Sequence, residues 1–440
     1  MSGALHDFTA QASAAGISLH SLEVSVEGHT MVRSGVAPFG VEVPHRLYSV
    51  SKSFTGLAIL LLAQEGMLRL TDGIMQYFPE MAPVHPWLAQ TRIDDMLAMT
   101  GPHSRTSYVE GAGDWLASYF RVPPTHRPGT LFTYDTSASY VLAALVERLS
   151  GTALLDYLRP RLLDPLGISG GARMLTGPEG IAHGGSGLIA APAGMLRLAE
   201  TLNGAGLWRG KRILPAAVVD RLREPRSDPG LQTWGAPFRA GYGRQLWLPG
   251  GDSWMMFGLG GQVVYGDPAR ALAAVVTADT TPLASGDQRL VELLLRALSV
   301  DEFGAQPHAA LTLQPVTPAH RVSHARTLAG RYAAVTGERA PATLELAVDA
   351  AGGSVRTATY TLPFSISAPT ITTLSLGAAV VTAGWSSPGV LDVQVSALGD
   401  DIASVRLRLV ATDDEVVTVQ SQGFGPAIDA SWSWRGSYRA

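Results

Sequence analysis

The chain has 440 residues, 46% of them hydrophobic and 16% charged, with a formal net charge of −4. That length and apolar content predict a folded protein of two domains, because a single core seldom grows so large; the mild negative charge excludes any general attraction to nucleic acid or anionic membrane. Cysteine is absent, which excludes disulfides and thiol chemistry, and the 11 histidines fall into no metal-binding spacing, so no metal and no cofactor are expected.

The opening residues, Met1 to Phe8, carry neither a basic n-region nor an apolar h-region. The longest apolar stretch, Phe54 to Ala63, is too short to span a bilayer, so a soluble, cytoplasmic protein with no membrane span is expected. Ile17 to Val26 alternates as a half-buried strand, and Met31 to Val36 begins its return. The segment that begins at Ser49 and runs into Leu57–Ala63 predicts a helix apolar nearly all round, hence central and buried, with Gly66 as its stop. From Thr71 to about Arg226 helices joined by Pro/Gly-rich connectors are expected, among them Ser137–Leu149, ending at Gly151, and Pro192–Leu202. Gly261–Tyr265 and Ala271–Thr277 read as a buried hairpin around Gly266-Asp267-Pro268, followed by an amphipathic helix over Asp287–Leu298. Strands near both ends with helices between them predict an α+β fold, an antiparallel sheet flanked by helices with an inserted helical region.

After Val300 the composition shifts. Residues 301–326 hold Pro307, Pro315 and Pro318 with little periodicity, as a linker would. Beyond them residues 343–348, 391–395, 405–409 and 415–419 alternate as short strands of an all-β barrel or sandwich. The expected division is 1–300, 301–326 and 327–440, with the last a structural or lid-like accessory domain.

Of the 33 Lys and Arg residues only Lys52 and Lys211 are lysines. A guanidinium cannot shed its proton near neutral pH, whereas a desolvated ammonium can, so a chain this biased toward Arg still needs Lys wherever an amine acts as a base. Ser49 lies three residues before Lys52, one turn away on a helix, which is the pattern of a serine nucleophile with a lysine partner. At a helix N-terminus the free N–H groups and the positive dipole end favour an oxyanion and a deprotonated neighbour. A second element is Tyr134, held after the Pro128-Gly129 turn; a phenol beside an ammonium has its pKa lowered, so a tyrosine facing Lys52 and Ser49 would complete a base system. The third is Leu259-Gly260-Gly261-Gln262, whose glycines permit close approach, and the Gln262 N–H could join that of Ser49 as an oxyanion hole.

In this order and spacing the three elements resemble the serine β-lactamase-related family, more narrowly its class C β-lactamase, D,D-peptidase and esterase branch. The resemblance covers roughly residues 17–299 and extends to Ile93–Gly101, Pro165-Leu166-Gly167, Gly184–Leu188 and Gly241-Tyr242-Gly243, while Ala329-Gly330-Arg331-Tyr332 is similar to the opening of a lipocalin-like barrel that follows this domain in some relatives. It implies Ser49 as the acylated nucleophile, Lys52 as its proton partner, Tyr134 as general base and acid, and Thr136, Gly260 and Gly261 as substrate-binding positions. Two positions depart from the family pattern: Thr136 stands where Asn is common, and Leu259 where a Lys or His usually precedes Thr-Gly. With no cation waiting for a substrate carboxylate, an esterase or amidase is expected rather than a penicillinase, acting on a small-molecule ester, amide, peptide or β-lactam. Two alternatives stand beside this. Gly167-Ile168-Ser169-Gly170-Gly171 fits the Gly-x-Ser-x-Gly elbow, though it follows a helix end rather than a strand, and the chain could be a catalytically silent binding or scaffold protein. Aromatic residues of the 101–125 and 226–254 loops, Tyr108, Trp115, Tyr119, Trp234, Phe238, Tyr242, Trp247 and Trp254, are expected to shape an apolar acyl or aryl pocket.

Overall fold

Helix α2 (Ser51–Gln64) has no polar face: every side chain from Ser51 to Leu62 is buried. A helix of that kind must be wrapped on all sides, and around it the chain builds the rest of its N-terminal body. The structure, a computed structural model, describes residues 2–109, 111, 113–299, 311, 313, 326–411 and 415–440.

The body is organised on a six-stranded antiparallel sheet of β1 (Ser18–Val26), β2 (His29–Gly35), β3 (Trp247–Gly250), β4 (Ser253–Gly258), β5 (Gln262–Asp267) and β6 (Leu272–Asp279), in the order β2-β1-β6-β5-β4-β3. Strand β1 therefore pairs with β6 from the far end of the body, Leu22 opposite Val276. The inner strands are covered on both faces, so β1, expected to be half-buried, is buried in all but its end residues and encloses His20, Ser21, Glu23 and Ser25, and successive residues are shared between two cores. Trp254, Met256, Val264, Ala273 and Val275 pack with α2, α3 (Thr136–Ser150) and α4 (Pro192–Asn203). Met255, Phe257, Val263, Ala274 and Val276 pack against α1 (Ser2–Ala14) and α5 (Gly286–Leu298). Helix α1, which the sequence reading did not anticipate, places Leu5, Phe8 and Ala12 in this second core.

Two local expectations are corrected. The β5–β6 strand runs through Asp267, and the reversal is a 3-10 turn at Pro268–Arg270, with Ala271 at φ 46°. Ser49 is not in the first α-turn: it sits in a 3-10 turn, Tyr48–Val50, that leads into α2.

The C-terminal part is a ten-stranded antiparallel barrel, β7 (Leu328–Glu338), β8 (Thr343–Val348), β9 (Gly352–Arg356), β10 (Thr361–Ser365), β11 (Thr370–Leu374), β12 (Gly377–Ser387), β13 (Val390–Ala397), β14 (Ser404–Ala411), β15 (Val416–Phe424) and β16 (Trp434–Arg439). Its order is β10-β9-β8-β7-β16-β15-β14-β13-β12-β11, and the two end strands lie against one another, so the barrel is nearly closed. Inward positions alternate as the sequence pattern requires: Leu344, Leu346 and Val348 on β8, Val405, Leu407 and Leu409 on β14. Most of the expected 301–326 linker lies outside the described residues, but Leu311 and Leu313 within it are buried in the second core of the body. No single helix among the described residues is long and apolar enough to cross a membrane.

Candidate active site

Tyr48 has φ 45°. A left-handed backbone costs a bulky residue about 1–2 kcal/mol, which the surroundings must offset. Here the Ser51 hydroxyl donates to the Tyr48 carbonyl at 2.5 Å and itself accepts from the Leu188 N–H at 2.8 Å. The turn delivers the half-buried Ser49 to the wall of a cavity of about 570 Å³. Strands β4 and β5 abut the same turn.

Lys52 projects from the first turn of α2 and is 1% exposed. Its Nζ lies 2.9 Å from Ser49 Oγ, 2.7 Å from the Gly185 carbonyl oxygen and 3.2 Å from Thr136 Oγ1. Burial pushes the amine down to about 7, the nearby Asp135 carboxylate opposing the shift. The coordination admits both forms: the three oxygens can take the three N–H groups of an ammonium, and they also match the neutral amine. A neutral amine has two N–H donors and one lone pair; Gly185 and Thr136 take the donors, and the lone pair is left for the Ser49 hydroxyl.

That Gly185 must be glycine is a matter of space: a Cβ would come within 2.5 Å of Thr136 Cγ2 and 3.0 Å of the Thr136 carbonyl oxygen. Its neighbour Gly184 is as tight, with Thr55 Oγ1 2.5 Å from a would-be Cβ, while the Thr55 hydroxyl donates to the Gly184 carbonyl at 2.8 Å. Two crowded glycines thus bring a backbone oxygen onto the amine.

Tyr134 reaches the same point from the loop before α3. Lys52 Nζ sits 4.8 Å from the centre of its ring, and the Ser49 and Trp247 side chains favour its phenolate. Trp247 stacks at 5.5 Å and Trp234 meets it edge-on at 5.2 Å. The expected phenolate is corrected here. Burial among these rings pushes the Tyr134 hydroxyl up, and Ser49 and Trp247 only oppose that shift. Desolvation disfavours whichever form is charged, so it raises the phenol and lowers the amine together. At rest the phenol thus keeps its proton, and the amine is the group whose pKa is brought down.

Asp135, which the sequence reading passed over, caps α3: Oδ1 accepts from the Ser137 N–H at 2.8 Å. Oδ2 is buried with no hydrogen-bond partner, and burial pushes the carboxyl up to about 6 against the opposing pull of Ser137 and Lys52. The signal available for it was the Asp-Thr-Ser run at a helix start.

Of the other anticipated residues, Thr136 touches Lys52 as above. Leu259 lines the cavity with Trp234, Phe238 and Phe257, whereas Gly260 and Gly261 are not among its lining residues. A Cβ on Gly261 would meet Leu290, and Gln262 is wholly buried, its side-chain amide donating to the Ala278 carbonyl at 2.8 Å. Trp115, Tyr119, Tyr242, Trp247 and Trp254 are buried packing residues, and Tyr108 stacks on Trp115. Ser169 is far less equipped: its hydroxyl donates to Asp164 at an exposed helix end.

A sequence model of the Beta-lactamase family, described as Beta-lactamase, matches residues 7–298. Protein Rv1367c of Mycobacterium tuberculosis is 27% identical over 283 residues, which span 50% of this chain and 70% of that protein. The 6-aminohexanoate-dimer hydrolase of Paenarthrobacter ureafaciens is 26% identical over 261 residues, 54% of this chain and 65% of its own. Among solved structures, EstCE1, a hydrolase with promiscuous acyltransferase activity, superimposes with a TM-score of 0.56 at 19% identity, covering 68% of this chain and 98% of that one. The octameric penicillin-binding protein homologue from Pyrococcus abyssi covers 99% of both chains with a TM-score of 0.52 at 16% identity. At such identity the structural likeness concerns the fold; in the second case it takes in the barrel as well.

The charge state of Lys52 can be read directly, because selective ¹⁵N-lysine labelling gives signals for Lys52 and Lys211 alone. The Lys52 signal is expected to titrate with a midpoint near 7, and a midpoint left at the ordinary 10.5 would refute the buried-amine reading. Asp135→Asn keeps a cap oxygen but removes the charge that holds the amine up, so the midpoint is expected to move to lower pH.

Proposed function

The chain belongs to the Beta-lactamase family, and on that premise we propose that it is a serine hydrolase that cleaves esters or amides through an acyl-enzyme on Ser49. One observation carries the reading: the amine of Lys52 stands 2.9 Å from Ser49 Oγ with its remaining partners fixed and its pKa brought to about 7, at the wall of a cavity large enough for a small substrate.

In the proposed reaction Ser49 gives its proton to Lys52 Nζ as Oγ attacks the carbonyl carbon. The oxyanion is held by the backbone N–H groups of Ser49 and Gln262. Collapse breaks the bond to the leaving group, which takes a proton through the Tyr134 hydroxyl, and Lys52 replaces it. Water then attacks the ester on Ser49, gives its proton to the Tyr134–Lys52 pair, and Oγ leaves as the restored hydroxyl. Tyr134 thus acts as a relay between neutral states rather than as a standing phenolate.

Esters and amides are favoured over carboxylate-bearing β-lactams by what stands on the cavity wall. Leu259 occupies the place of the family's cation, and Asp287 is the charged side chain among the lining residues. No guanidinium or ammonium stands among the lining residues to meet a carboxylate.

Hydrolysis of p-nitrophenyl acetate and nitrocefin tests the proposal. Ser49→Ala is expected to lower turnover by at least about 10³-fold and Tyr134→Phe by about 10²-fold, both with unchanged circular dichroism. Hydrolysis of the acetate that Ser49→Ala leaves intact would sink the assignment. Because the active form carries neutral Lys52, kcat/KM is expected to rise with pH through about 7 and then level, the opposite of a profile set by a protonated acid.

A further inference from the structure

The segment Leu398–Ala403 joins β13 to β14 and leaves the barrel to reach the residue next to the nucleophile. The Ile402 N–H donates to the Tyr48 hydroxyl at 2.7 Å, and that hydroxyl donates to Asp401 Oδ1 at 3.2 Å. Arg46 covers the Tyr48 ring, its guanidinium carbon 4.5 Å from the ring centre, and is itself ion-paired to Asp401. Its Nε donates to the Ser186 carbonyl at 3.1 Å, one residue after the carbonyl that holds Lys52. The same barrel segment meets the other side of the site. Gly260 has φ +80°, and a Cβ there would stand 2.2 Å from Ile402 Cδ1. Ile402 is 7% exposed.

Resting on the hydrolase reading above, we propose that Asp401 and Ile402 of the barrel are positioning residues for the active site, holding the Tyr48–Ser49 turn and the Gly260–Gln262 turn in register so that the two N–H groups converge on one oxyanion. The argument is geometric. Each of those N–H groups belongs to a turn with an uncommon backbone, left-handed at Tyr48 and at Gly260, and a left-handed tyrosine persists only where its surroundings over-determine it. The barrel provides both constraints from one short segment: a polar clamp on the phenol of Tyr48 and an apolar stop against Gly260. A domain contact that served only to dock the barrel would have no reason to converge on the residue beside the nucleophile; the Arg406 guanidinium bound to the Gly16 carbonyl at 2.7 Å already docks it elsewhere. Displacements of well under 1 Å at an oxyanion donor are enough to slow the chemistry while leaving binding intact.

The test uses the full-length protein, p-nitrophenyl acetate, and thermal melting. Tyr48→Phe and Asp401→Ala are expected to lower kcat at least about tenfold with KM within twofold and the melting temperature nearly unchanged. Asp401→Asn keeps an oxygen for the Tyr48 hydroxyl and is expected to fall between Asp401→Ala and the parent; it also serves as the reading if Asp401→Ala does not fold. Arg408→Ala, which breaks an ion pair with Asp392 on the barrel, is expected to leave kcat alone. Values of kcat within twofold of the parent in both Tyr48→Phe and Asp401→Asn, or losses that appear in KM only, overturn the positioning role. A parent no more active than Ser49→Ala overturns the hydrolase reading itself, and this inference with it.

Discussion

An amine removed from water is the constraint from which the rest of this site follows. In the dry interior around α2 a charged lysine would be costly, so Lys52 gives up its proton near neutrality, and a neutral amine with two N–H groups and one lone pair can satisfy only a particular set of neighbours. The carbonyl of Gly185, the hydroxyl of Thr136 and the oxygen of Ser49 are that set.

That desolvation acts with opposite sign on the phenol explains why Tyr134 and Lys52 divide their labour. Ring packing by Trp247 and Trp234 keeps the tyrosine protonated. A protonated phenol can donate one hydrogen bond and accept another at the same time. Asp135 adds a bias from behind, holding the amine's pKa from falling further.

Much of this was legible in the sequence because it is local. The apolar run after Lys52 fixed a buried helix, the alternation of Ile17–Val26 and of Thr343–Val348 fixed strands, and Gly151 marked the end of α3, where it takes φ 71°. Ser49 and Lys52 were singled out by their spacing and Tyr134 by its loop, and the structure brings the three together. What escaped has no local signature. The Gly185 partner is a backbone carbonyl, whose position no residue type announces. The burial that raises the Tyr134 hydroxyl comes from Trp234 and Trp247, a hundred residues on, and the contact of Asp401 with Arg46 and Tyr48 spans more than three hundred and fifty. Nor could alternation tell which loop aromatics face the cavity: Trp234 and Phe238 do, while Trp247 and Trp254 fill the interior. Helix α1 was missed because its apolar residues are sparse, and only the α5 surface beneath makes them a core.

The two lysines also define the chemistry of the outer surface. Lys52 is enclosed, so Lys211 is the chain's exposed lysine, and the remaining side-chain cations are guanidiniums. Guanidiniums stay protonated and are poor nucleophiles at neutral pH. An outer surface of this composition therefore offers an activated acyl group almost no lysine amine on which to become attached.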